Sequence, residues 1–175
     1  MVTKLCRNLI LVLLLLSVSP PCRASSDTLA FSDKGISFNG KLLTLPCSQD
    51  EITALFGAPS DIVYAYGDEH SMTVIEWAHI GVFAYTKPAT GVIDAVGVSL
   101  SPTHPERGFQ KSFSGALLVD GVRLDMTEAG FRSAGFRRGS EHANWRRTLE
   151  PYYITVRTAA PDDPREIDFG RPSKN

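Results

Sequence analysis

The residues of this chain that could do chemistry are four histidines, a cysteine at an expected helix start, and a few closely spaced carboxylates. The histidines are His70, His79, His104 and His142, and none forms the i, i+4 pair that sets two imidazoles on one helical face for zinc. Asp68-Glu69-His70 gathers three ligand types, but between two expected strands, where a solvated hairpin tip accounts for the charge. Cys47 follows Pro46 and precedes Ser48 at a helix N-terminus, a place that lowers a thiol pKa. A nucleophilic thiolate also needs a positioned base. No histidine is tied to Cys47 by any motif, so it reads as a small residue packed where a hairpin meets a helix. There is no Gly-x-Ser-x-Gly elbow, and Ser114-Gly115 opens a hairpin strand with no assignable base. Paired carboxylates would suit glycoside hydrolysis. The pairs available are Glu69 with Glu76 and Asp120 with Asp125. Asp120 is explained by a turn, Asp125 by a helix cap, and Glu76 by a solvated or ion-paired strand face. No Gly-rich phosphate loop occurs. These readings leave no catalytic residue, metal site or cofactor, and the chain is not expected to be an enzyme.

What remains is charge with aromatic residues interleaved. Asp61, Asp68, Glu69 and Glu76 make the first half locally acidic, whereas Arg132, Arg137, Arg138, Arg146 and Arg147 make the second half basic, with Trp145, Tyr152 and Tyr153 close by. Arg, Trp and Tyr are the types that dominate protein-interface hot spots. A partner contact is therefore expected at Trp145, Arg146, Arg147 and Tyr153. The acidic alternative is Asp68, Glu69 and Glu76, which would suit a basic cleft.

The 175 residues are 43% hydrophobic and 21% charged, the composition of a globular chain. Lys4 and Arg7 precede an apolar run from Leu9 to Leu16, Pro20-Pro21 breaks it, and Cys22-Arg23-Ala24 ends in a cleavage-type sequence. That is the layout of a secretory signal peptide over 1–24, and it predicts a periplasmic protein with no stable membrane span after cleavage. Cys22 invites comparison with a lipobox, but Ser19-Pro20-Pro21 fits that site badly. Cleavage removes Lys4, Arg7 and Arg23 and leaves 15 basic against 19 acidic residues, formally −4. Such a balance argues against wholesale nucleic-acid binding. Cys47 is then alone and cannot form an internal disulfide.

The elements that must hold these residues repeat. Ile36–Leu45 carries Asn39-Gly40 between apolar runs, and Leu117–Met126 carries Asp120-Gly121 in the same setting. Both dipeptides signal two-residue type I′ hairpins, whose central residues need positive φ. The expected pairs are Phe38 with Lys41, Ile36 with Leu43, Val119 with Val122 and Leu117 with Leu124. A short helix follows each hairpin. Ser48 with Glu51 forms a capping box and Gly57-Ala58-Pro59 ends the first helix; Asp125 with Glu128 could cap the second, Gly130 weakens it, and Gly135 stops it. Strands are then expected at 62–66, 72–78, 81–86 and 92–100, and again at 136–138, 143–149, 152–158 and 166–169. The reading is an α+β fold of two tandem related units, each a β-hairpin, a short helix and an antiparallel sheet. They occupy 25–102 and 113–175, joined by a linker at 103–112.

Two resemblances follow. Leu55-Phe56-Gly57-Ala58-Pro59, then Trp77, then Gly91-Val92-Ile93, make 51–93 resemble the small helix-plus-sheet domain of the SmpA/BamE-type outer-membrane assembly proteins. That resemblance implies an envelope assembly accessory module. In signal peptide, size, antiparallel-sheet content and lack of catalytic motif, the mature chain looks like exported bacterial toxin-immunity-type proteins. That resemblance implies an inhibitor that occludes a secreted toxin or cell-wall enzyme, and it is the favoured expectation. The alternatives are the assembly module and an enzyme with an unrecognised site.

Overall fold

The computed structural model describes residues 27–64, 73–86, 90–101, 112–139, 144–160 and 163–172. The expected leader, Asp68 and Glu69, and most of the expected linker lie outside these residues. Among the described residues the fold is mainly β, two sheets with two short helices, within the α+β class.

Both hairpins form as their turn residues dictate. β2 (Gly35–Phe38) and β3 (Lys41–Leu43) join through Asn39 at φ 51° and Gly40 at φ 83°, with Ile36 opposite Leu43 and Phe38 opposite Lys41. β9 (Ala116–Val119) and β10 (Val122–Arg123) join through Asp120 at φ 51° and Gly121 at φ 77°, and Leu124 N–H donates to Leu117 O at 2.8 Å. Between them runs β1 (Thr28–Ser32), antiparallel to β2 and parallel to β9. The small sheet has the order β10-β9-β1-β2-β3. Thr28–Ser32 carries no turn signal of its own and is not among the expected strands.

The large sheet has nine strands among the described residues. Eight run in the order β11 (Arg137–Arg138), β12 (Trp145–Leu149), β13 (Tyr152–Ala160), β14 (Asp163–Gly170), β8 (Val92–Ser99), β7 (Val82–Thr86), β6 (Thr73–Trp77) and β5 (Asp61–Tyr64). The two-residue β4 (Cys47–Ser48) pairs with β8 beside this path. All eight expected strands are present, residues 65, 66, 72 and 143 of them lying outside the described residues, and the two four-strand runs meet at β14–β8, where Asp168 opposes Gly97.

α1 (Gln49–Phe56) starts on the expected capping box: Ser48 Oγ accepts from Glu51 N–H at 3.3 Å, and Glu51 Oε2 accepts from Ser48 N–H at 2.8 Å. α2 (Glu128–Ser133) corrects the reading. Its cap is Thr127, whose Oγ1 accepts from Gly130 N–H at 3.1 Å, not Asp125. Asp125 instead lies under the helix, where a Cβ on Gly130 would stand 2.4 Å from Asp125 O. Gly130 is what lets the backbones approach. α2 ends in a Schellman motif: Phe136 N–H donates to Phe131 O at 2.9 Å and Gly135 N–H to Arg132 O at 3.0 Å, with Gly135 at φ 78°. The apolar contact this motif favours is Phe131 against Phe136, ring centroids 5.9 Å apart.

The core lies between the sheets and holds both helices. Phe31 of the small sheet stacks on Phe169 of the large one at 5.1 Å, Phe56 of α1 meets Trp77 at 5.3 Å, and Phe131 of α2 meets Trp145 at 5.7 Å. Tyr152 O–H donates to Leu45 O at 3.0 Å across the buried layer. Each helix end is also tied to the large sheet. Trp77 Nε1–H donates to Gly57 O at 2.7 Å, and an Arg147 guanidinium N–H donates to Ala134 O at 2.7 Å.

Candidate functional site: the outer face of the large sheet

Side chains directly opposite one another in a sheet share a face. The pairing of the large sheet therefore strings one row across its outer face: Arg137, Arg146, Thr155, Asp168, Gly97, Phe83, Glu76 and Asp61. At about 4.8 Å per strand the row is roughly 34 Å long. It is basic at the β11 edge and acidic at the β5 edge. Arg137, Arg146 and Asp61 are exposed, whereas Thr155, Asp168, Phe83 and Glu76 are buried. The exposed area usable for contact on this row lies at its ends.

At the basic end, Arg146 faces Arg137 on β11 and Thr155 on β13. Tyr153 and Arg157 flank Thr155 two residues away on the same face, diagonal neighbours within reach of long side chains. Arg157 is half-exposed and bonds inward, 2.9 Å from Asp168 Oδ2 and 3.5 Å from Glu166 Oε1, both carboxylates being buried. Burial first, and then Asp168, push the Tyr153 phenol up, with Arg146 and Arg157 opposing. The phenol is thus a neutral O–H donor at neutral pH. Arg137 and Arg146 have no carboxylate partner among the described residues. Directly opposed like charges are destabilising in a sheet.

The expected contact residues separate in the structure. Arg146 and Tyr153 come together on the outer face. Trp145 turns inward, 1% exposed, with Arg132 over its ring at 5.1 Å. Arg147 also points inward and pairs with Asp120 as well as Ala134 O. Glu76 is on the outer face, four strands from Tyr153, and is buried rather than solvated. Asp68 and Glu69 lie outside the described residues. The sequence reading missed Arg157, Glu166 and Asp168 as members of the face. The signal was present: Glu166 and Asp168 alternate with the core residues Ile167 and Phe169.

Cys47 is buried against β8, and burial, then Glu51 and Asp94, push its thiol up to about 12. It stays protonated at neutral pH, as its packing role implies. Among the described residues no three His, Cys, Asp or Glu side chains are grouped to hold a metal ion, and no helix is long and apolar enough to cross a membrane.

The family described as domain of unknown function (DUF7738) matches residues 28–130, more than half of the chain. The chain belongs to this family. The DUF7738 match runs from β1 through β10 into the first turn of α2, so it takes in the whole small sheet and the β5–β8 half of the large one. It stops before β11–β14, and the arginine cluster therefore lies outside the matched region. No curated protein and no solved structure matches the chain.

Proposed function

We propose that this DUF7738 protein is exported to the periplasm and acts by binding a protein partner, as an immunity-type inhibitor that occludes a secreted toxin or cell-wall enzyme. The supporting observation is the exposed end of the outer face, where Arg137, Arg146, Tyr153 and Arg157 are displayed by three adjacent strands. A sheet fixes these side chains before contact, which lowers the ordering cost of binding. A stable interface of ordinary size buries about 1,600 Å² in total, so neighbouring loops would join this cluster. Export rests on the 1–24 leader.

Within this reading the two halves are copies of one unit. The element order supports this: hairpin, helix, four strands in each half, with the two-residue β4 additional in the first. Trp77 opposes Val82, which opposes Val98, one residue past Gly97 at the sheet centre. Arg147 opposes Ile154, which opposes Phe169, one residue past Asp168. Trp77 and Arg147 thus hold matching ladder positions, and each donates to the carbonyl at the end of its own half's helix.

The test is purification from the periplasm of the producing cell. The reading requires a mature N-terminus at Ser25 and a stoichiometric partner whose lethal or hydrolytic activity falls when the purified protein is added. Survival of the partner-producing cell unchanged on deletion of this protein contradicts it.

A second reading, an enzyme using serine, has one observation behind it. Ser60 Oγ lies 3.3 Å from His79 Nδ1 in the exposed segment joining α1 to β5. Ser60 Oγ also accepts from Ala78 N–H at 3.1 Å, and Ser60 N–H donates to Glu76 O at 2.6 Å. Those bonds tie the segment to β6, and we assign the pair that structural role.

A further inference from the structure

We propose that Arg137 and Arg146 form a two-guanidinium receptor for side-chain carboxylates of the protein partner; this rests on the binding role above and specifies its chemistry. The two arginines are Cα partners at the β11 edge, both exposed. Three other arginines of this half are satisfied inside the chain: Arg132 by Glu128, Arg147 by Asp120 and Ala134 O, and Arg157 by Glu166 and Asp168. Arg137 and Arg146 have no such partner among the described residues, and their mutual repulsion is a standing cost that an incoming anion removes. Guanidinium forks match carboxylates bidentately, and the Tyr153 O–H stands diagonal to Arg146 as a further donor.

Charge arithmetic selects among anions. Polyanion binding draws its affinity from several released counterions. Without the 1–24 leader the chain carries 15 basic against 19 acidic residues, formally −4, so its net charge does not favour gathering a polyanion or an anionic bilayer. Discrete carboxylates, engaged one fork at a time at contact distance, match what the pair offers. The contact chemistry is that of an acidic protein segment laid against β11 and β12.

The experiment titrates a hexaglutamate peptide into the isotope-labelled protein at low salt and follows arginine Nε–H and backbone amide resonances. The expected result is shifts at Arg137, Arg146, Thr148 and Tyr153. Apparent affinity should fall at least tenfold in R137Q/R146Q, fall partly in R137K/R146K, and hold in R123Q, an exposed arginine of the small sheet. Unchanged amide spectra elsewhere report that the variants fold. Equal binding by R137Q/R146Q overturns the inference. So do stronger shifts with orthophosphate or phosphatidylglycerol vesicles than with the peptide. Failure here while the periplasmic partner is still captured removes the carboxylate receptor alone; absence of any partner removes the binding role.

Discussion

Gly130→Ala reverses the sign that helix propensity alone assigns to it. Alanine is favoured over glycine inside a helix by roughly 0.8–1.0 kcal/mol, so a reading confined to α2 expects the variant to be more stable. The structure puts the new methyl 2.4 Å from Asp125 O and 2.5 Å from Asp125 Cβ, with the backbone carbonyl unable to rotate away. Overpacking of this kind costs typically about 1–3 kcal/mol, which offsets the propensity gain and leaves a net loss of up to about 2 kcal/mol. For a chain of this size 1 kcal/mol corresponds to roughly 2–4 °C in Tm. Ala129→Gly, on the exposed side of the same helix, isolates the propensity effect and should cost about 1 kcal/mol. Urea unfolding of both variants reads the comparison. A Gly130→Ala protein more stable than the parent would show that α2 does not sit on Asp125 as described.

Three further outcomes are expected. Cys47 should resist iodoacetamide at pH 8 in the native protein and react once unfolded. Its raised pKa favours the folded state fully below the ordinary thiol value, and that contribution is lost as pH climbs toward about 12, so a Cys47→Ala variant should show a shallower stability loss in that window. Trp77→Phe and Arg147→Leu each remove one donor to a helix-end carbonyl; each should lower stability by about 1–3 kcal/mol in urea titration, additively, since they serve different helices. Ser60 should remain unlabelled by a fluorophosphonate probe; stoichiometric labelling lost in His79→Ala would favour the enzyme reading instead.

Much of the fold was legible because its signals are local. Asn39-Gly40 and Asp120-Gly121 name their turn type, and the registers Ile36–Leu43 and Val119–Val122 follow from it. Ser48 and Glu51 cap α1 through neighbours three residues apart. What escaped is set by distant partners. β1 is placed by pairing with β2 on one side and β9 on the other, a contact across more than eighty residues. Thr127 rather than Asp125 caps α2, and Asp125 packs its backbone against Gly130. At the candidate site, residue type pointed to Arg146 and Tyr153. It could not distinguish them from Trp145 and Arg147, because strand alternation assigns those two to the inner face only once the register with β13 is known.

The most direct measurement is in-cell photo-cross-linking from Thr148, an exposed outer-face position beside Arg146 and opposite Tyr153, with Asp33 in the β1–β2 turn of the small sheet as the reference. With a benzophenone side chain at each position in turn, a discrete protein adduct should form from Thr148, vanish in the R137E/R146E background and be absent from Asp33. An adduct from Asp33 but not from Thr148, or one from Thr148 that survives R137E/R146E, would contradict the assignment of partner binding to this arginine-bearing edge.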